Sequence, residues 1–191
     1  MSEGGVPRGA AVLVAGESGT GKSILCIQFI LAGIRDGEPG VYATADHPNR
    51  VIEAASALGW DLRGAVEDGY ARVIRIGEDS SLSAPGAANS VGQESAGAIA
   101  AAVQEVNAER VAIDPPLLGG DDRGSDAADF VSTLMRSTLR ETHCTMMVTG
   151  QRSTGSGGLT RLGIEEQGVD GIIDLGFASD NGRRSRVLSV R

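Results

Sequence analysis

The run Gly16-Glu17-Ser18-Gly19-Thr20-Gly21-Lys22-Ser23 has the residue types and spacing of a phosphate-binding loop, G-x-x-x-x-G-K-[ST]. Glycines at these positions let the backbone fold back until successive N–H groups converge on an anion. The helix that follows adds its positive N-terminal end. In such a loop the lysine, here Lys22, reaches the β- and γ-phosphates, and the hydroxyl of Ser23 ligates magnesium. The run is therefore predicted to bind a nucleoside triphosphate with Mg2+. No Asn/Thr-Lys-x-Asp segment for reading guanine is present, because Lys22 is the only lysine in the chain, and this favours ATP over GTP.

Phosphoryl transfer needs further groups, and three residues at the ends of apolar runs offer them. Asp114 closes Val111-Ala112-Ile113, the Walker B pattern in which a carboxylate at a strand end supports the magnesium side of the site. Asp46 ends a second apolar run and precedes His47-Pro48, a place from which a carboxylate polarises the attacking water; the competing reading is an ordinary helix cap. Gln151 follows Thr145-Met146-Met147-Val148-Thr149, where its amide is a candidate sensor of the γ-phosphate; the competing reading is a surface turn.

The elements that must position these residues alternate along the chain. Ala10 to Ala15 is an apolar strand entering the loop, and Gly21 to Arg35 leaves it as a helix that is apolar on nearly every side. That helix is expected to be the most buried. Gly40 to Thr44, Arg72 to Ile76, Arg110 to Asp114 and Thr145 to Thr149 read as further strands, the second of these four less buried than the rest. Asn49 to Leu58, Gln93 to Asn107 and Ala127 to Thr142 read as helices, and Glu78 to Gly92 as a surface loop. Gly171 to Phe177 and Ser185 to Val190 flank Asp180-Asn181-Gly182, the signal of a β-hairpin. The alternation predicts an α/β fold: a mostly parallel sheet flanked by helices, with an antiparallel C-terminal hairpin.

Bulk properties narrow the functions available. A chain of 191 residues holds one α/β domain with a sizeable core, so residues 1–191 are expected to form a single domain. Aromatics are only 3% of it, so Val, Ile, Leu and Ala must make that core. The formal charge of −8 argues against a general polyanion-binding surface and hence against DNA as a partner. Cys26 and Cys144 lie far apart without a Cys-x-x-Cys motif and are expected to be core thiols. No apolar stretch approaches the roughly 20 residues that cross a bilayer, and no leader precedes the first strand. A cytoplasmic protein without membrane contact is expected.

Taken in order, the motifs resemble the RecA-like P-loop ATPases, and most closely their KaiC and RadA-like branch. The resemblance is carried by Gly5-Val6-Pro7-Arg8-Gly9, the phosphate loop, Gly59-Trp60-Asp61-Leu62, Arg110 to Asp114, Gly163-Ile164-Glu165-Glu166, and Val169-Asp170-Gly171-Ile172-Ile173. It implies a RecA-like core that binds ATP at a subunit interface in a homo-oligomer. It also places Asp46 where the family has its catalytic glutamate and Gln151 at the sensor-glutamine position. The family usually has two adjacent glutamates where this chain has Asp46-His47, and a carboxylate one methylene shorter implies slow or absent turnover. A Lys-x-Arg element that meets the neighbour's γ-phosphate in the family would begin about where the chain stops, at Arg191. Arg183, Arg184, Arg186 and Arg191 are candidates to replace it in trans, against a simpler role in solvating the hairpin edge. Arg152 and Arg161 flank the region with which recombinases contact DNA, and are read here as part of a surface loop. The function implied is a regulatory or signalling ATPase that couples slow hydrolysis to self-assembly or to a protein partner. The alternatives are a DNA-binding recombinase paralogue or mediator, and a nucleotide-binding scaffold that does not hydrolyse ATP.

Overall fold

The computed structural model describes residues 5–77, 87–115, 124–152, 160, 168–180 and 183–191. Seven strands form one sheet: β1 (Ala11–Gly16), β2 (Gly40–Thr44), β3 (Ala71–Arg75), β4 (Arg110–Asp114), β5 (Thr145–Gln151), β6 (Gly171–Asp180) and β7 (Arg183–Val190). Their order across the sheet is β3-β2-β4-β5-β1-β6-β7. Every neighbouring pair is parallel except β6 and β7, which pair antiparallel from Ile173–Val190 to Asp180–Arg183. This is the predicted mostly parallel sheet with a terminal hairpin. The hairpin turn at Asn181-Gly182 lies outside the described residues.

Helices cover both faces, as the absence of polar alternation in the central strands requires. All six residues of β1 and all five of β2 are buried. On one face α4 (Ala88–Val106) and α5 (Gly124–Thr142) pack against Val41, Ala43, Val111, Ile113, Met146 and Val148. On the other, α1 (Lys22–Arg35), α2 (Pro48–Ala57) and α3 (Leu62–Glu67) pack against Val14, Tyr42, Ala112 and Met147. Each fully buried Leu or Ile in these layers, such as Leu13, Ile27, Ile30 and Ile113, contributes roughly 1.5–3 kcal/mol of transfer free energy. Edge strand β3 is only partly buried, as expected. Cys26 and Cys144 are unpaired core thiols.

Four expectations are corrected. The segment read as a loop up to Gly92 is helical from Ala88, and Ala88, Val91 and Gly92 are buried. A Cβ on Gly92 would lie 3.1 Å from the Phe130 carbonyl and 3.2 Å from Thr133 Cβ, so a residue typical of loops is what lets α4 approach α5 closely. The remainder of that segment, 78–86, lies outside the described residues. Second, α3 was not anticipated: Asp61 caps it, accepting from Gly64 N–H at 2.8 Å, and Leu62 anchors it at 1% exposure. Third, β5 continues to Gln151, which is therefore paired in the sheet rather than set in a turn after it.

Fourth, α1 is not the most buried helix. It buries five of its 14 residues, whereas α4 buries nine of 19, because Ile24, Leu25, Leu31 and Ile34 are only partly buried. Its far end is fixed by Arg110 of β4. That guanidinium donates to Glu38 Oε2 at 2.7 Å and to the Phe29 carbonyl at 3.0 Å, and stacks 5.0 Å from the Phe29 ring. The phosphate-loop end of α1 is thus carried on a helix anchored to the centre of the sheet.

Candidate functional site

In an open parallel sheet the ligand crevice lies beyond the carboxyl ends of the strands, where the strand order changes direction. Here that edge carries the loop after β1, Asp46 after β2, Asp114 at the end of β4 and Gln151 at the end of β5. All of them except Gly16 and Glu17 line one cleft of about 1020 Å³, whose far wall is Arg186, Val187 and Leu188 of β7.

The loop has the backbone that its sequence anticipates. Gly19 and Gly21 sit at φ of 79° and 105°, a region that disfavours side-chain-bearing residues, and Gly21 is the N-cap of α1. Thr20 is buried and donates through Oγ1 to the Glu17 carbonyl at 2.8 Å, closing the loop on itself. Lys22 Nζ donates to the carbonyls of Gly16 and Glu17, each at 2.9 Å. Burial lowers its pKa, and the nearby Asp114 carboxylate acts in the opposite direction.

Three side-chain hydroxyls donate to Asp114. Its Oδ2 accepts from Ser23 Oγ at 2.7 Å and from Tyr42 Oη at 3.1 Å, and its Oδ1 accepts from Thr149 Oγ1. The β2 backbone is tied to the same residue, with Ala45 N–H donating to the Asp114 carbonyl at 3.1 Å. Burial, with the Asp114 carboxylate beside it, pushes the Tyr42 phenol well above its ordinary value, so it stays a neutral donor.

The set suits a magnesium nucleotide. Ser23 donates its hydrogen bond to Asp114, which leaves the lone pairs of its oxygen for a cation. Among the described residues no cluster of three or more His, Cys, Asp or Glu forms a self-sufficient metal cage. Mg2+ is commonly held by few protein ligands, with phosphate oxygens and waters completing the octahedron.

Asp46 does not cap α2. His47 does so, its Nδ1 accepting from Asn49 N–H at 3.3 Å, while Asp46 N–H donates to Thr44 Oγ1 at 3.0 Å. The Asp46 carboxylate is 69% exposed on the cleft wall, 3.6 Å from Arg50. Gln151 is half-buried, and its backbone is in register with Gly16.

Three contributors escaped the sequence reading. Tyr42 and Thr149 supply hydroxyls to Asp114, and the available signal was a phenol and a hydroxyl inside buried strands, each of which needs a partner. The third is Arg152, read as part of a surface loop: its guanidinium donates at 2.6 Å to Asp174, a buried carboxylate on β6, and its N–H donates to the Gly16 carbonyl. Arg191 also approaches Asp174, at 3.5 Å. Arg186 lines the cleft. The side chains of Arg183 and Arg184, all of Arg161, and Gly163 to Glu166 lie outside the described residues.

With Arg152 engaged internally and the chain at −8, we expect at most weak, salt-sensitive binding to DNA. Fluorescence anisotropy at about physiological ionic strength checks this, and submicromolar affinity would contradict it. No helix among the described residues is long and apolar enough to cross a membrane.

Comparison with known proteins places this chain in a family. The KaiC ATPase family model matches residues 1–191. The chain is similar to UPF0273 protein MK0039 of Methanopyrus kandleri, 35% identical over 198 residues that cover 98% of this chain and 76% of that protein. It is also similar to the circadian clock oscillator protein KaiC of Synechococcus elongatus, 32% identical over 204 residues, covering all of this chain but only 37% of that protein. Among solved structures it resembles the KaiC-like protein PH0186 of Pyrococcus horikoshii, with a TM-score of 0.80 and 28% identity over 99% of this chain and 81% of that one. The family implies nucleotide binding, and the strand order, the phosphate loop and these likenesses agree: the chain belongs to the KaiC ATPase family, with a RecA-like P-loop core.

Proposed function

We propose that residues 1–191 act as one ATPase domain that binds ATP with Mg2+ on Gly16 to Ser23 and hydrolyses it slowly, the nucleotide state controlling self-association or a protein partner. The observation that carries this reading is the 2.7 Å contact between Ser23 Oγ and Asp114 Oδ2, residues 91 apart in sequence. It joins the end of the phosphate loop to the strand-end carboxylate that a magnesium-dependent phosphoryl transfer needs.

Bound Mg-ATP supplies the phosphoryl group and the cation that neutralises its charge. The loop N–H groups and Lys22 bind and orient the phosphates. Ser23 would offer its oxygen to the metal, and Asp114, which accepts the Ser23 hydrogen bond, would support the metal side of the site. Asp46 orients the attacking water and accepts hydrogen bonds from it, and Gln151 reads the γ-phosphate from the end of β5. Val187, Leu188 and Arg186 on the solvent-exposed strand β7 form the wall of the cleft that a second copy would approach. In a homo-oligomer, nucleotide and subunit contacts would therefore share one surface. A cytoplasmic location is part of this reading, supported by the free core thiols Cys26 and Cys144.

Steady-state phosphate release, run beside size-exclusion chromatography with and without Mg-ATP, tests this. Slow Mg-dependent release and a nucleotide-dependent change in elution are expected. Tight ATP binding with no release in any assembled form would leave the chain a nucleotide-binding scaffold.

A further inference from the structure

The phenol of Tyr42 is buried against the group on which metal binding depends. Tyr42 lies on β2 at 1% exposure, and its ring packs in the apolar layer with Val14, Cys26, Ile27 and Ala112. In the β2–β4 ladder the residue opposite Asp114 is Thr44, whereas Tyr42 stands opposite Ala112. The phenol therefore reaches two residues along the strand, roughly 6.6 Å of rise, to donate to Asp114 Oδ2. Serine or threonine at position 42 is too short for that, and phenylalanine fills the same volume without the oxygen.

A buried phenol needs an acceptor, and a backbone carbonyl would serve. Here the acceptor is instead the carboxylate oxygen that also accepts from Ser23 Oγ. With Thr149 on Oδ1 and both Ser23 and Tyr42 on Oδ2, the carboxylate plane is held from two sides. Thr149 and Tyr42 belong to the strands that flank β4, so their two bonds do not depend on the loop that carries Ser23.

We propose that Tyr42 is a positioning residue for Asp114: its phenol fixes Oδ2 so that Ser23 presents its lone pairs, rather than its proton, to Mg2+. The inference rests on the magnesium-site reading above. It separates two parts of one side chain, the ring supporting the core and the oxygen setting metal affinity. Outer hydrogen-bond partners of metal ligands typically change metal affinity by roughly 10- to 100-fold. Because Asp114 keeps two other hydroxyl donors, the lower end applies.

Tyr42→Phe is the test, read as the Mg2+ concentration that half-saturates ATP-induced thermal stabilisation, beside ATP affinity measured in EDTA. The Mg2+ requirement should rise about tenfold while affinity in EDTA stays at the wild-type value. Asp114→Asn runs in parallel. An unchanged Mg2+ requirement in Tyr42→Phe beside a raised one in Asp114→Asn overturns the inference alone. Unchanged requirements in both overturn the Asp114 assignment and the inference with it.

A second arm uses the wild-type protein, which has two tyrosines, the other being Tyr70, half-exposed at the opposite end of the sheet. With 13C at the tyrosine Cζ, adding Mg2+ to the ADP-bound protein should shift the Tyr42 signal and leave that of Tyr70 in place. A Tyr42 signal indifferent to Mg2+ contradicts the proposal.

Discussion

Asp46→Asn should retain ATP binding and lose phosphate release by about a hundredfold or more, since a positioned general base contributes roughly 10²–10⁴. The amide keeps the shape of the side chain and removes the charge that polarises water. Because Asp46 is 69% exposed and His47 holds the α2 cap, the substitution should leave thermal unfolding without nucleotide unchanged. Asp114→Asn should behave differently. Three hydroxyls converge on that carboxylate, so an amide forces at least one of them to seek another acceptor, at a cost of about 1–3 kcal/mol. Its unliganded stability should fall, and its nucleotide affinity should require more Mg2+. Wild-type rates of release from Asp46→Asn would return Asp46 to a surface residue paired with Arg50, and the base would have to be sought elsewhere.

The strands were legible because each central one is a short, unbroken apolar run, buried on both faces. The start of α4 was not. Ser-Ala-Pro-Gly-Ala-Ala-Asn-Ser-Val-Gly has the composition of a loop, and only packing of Ala88, Val91 and Gly92 against α5 makes its second half helical. Helix α3 is six residues long and contains Gly64, too short for a periodicity to show, and it exists because Asp61 caps it and Leu62 is buried.

The same division holds at the site. The phosphate loop is legible because its chemistry is contiguous: eight consecutive residues supply glycine turns, a lysine and a hydroxyl. Contacts that depend on sheet order are not. Tyr42 meets Asp114, 72 residues away, because β2 and β4 are neighbours, although β3 is the next strand in sequence. Arg152 reaches Asp174 past β1, which separates their strands and presents only Ala15 in register with Asp174. A surface arginine in sequence thereby becomes an internal brace beside Gln151. The charge balance alone could not reveal this, because it counts cations without their partners.

Lys22→Ala should abolish stabilisation by nucleotide. Lys22 is the chain's only lysine, its ammonium bridges the Gly16 and Glu17 carbonyls at the mouth of the loop, and the other groups there are backbone N–H donors without a full charge. Without nucleotide the change should be small, since both carbonyls keep another donor, Arg152 N–H on Gly16 and Thr20 Oγ1 on Glu17. A ligand that binds only the folded state adds RT ln(1 + [L]/Kd), roughly 2.7 kcal/mol at a hundredfold excess over Kd. For a chain of this size that corresponds to about 5–10 °C in Tm. Thermal unfolding of wild type and Lys22→Ala, each with and without Mg-ATP, measures it. The wild type should gain that interval and Lys22→Ala should gain none; equal shifts in the two proteins would contradict nucleotide binding at this loop.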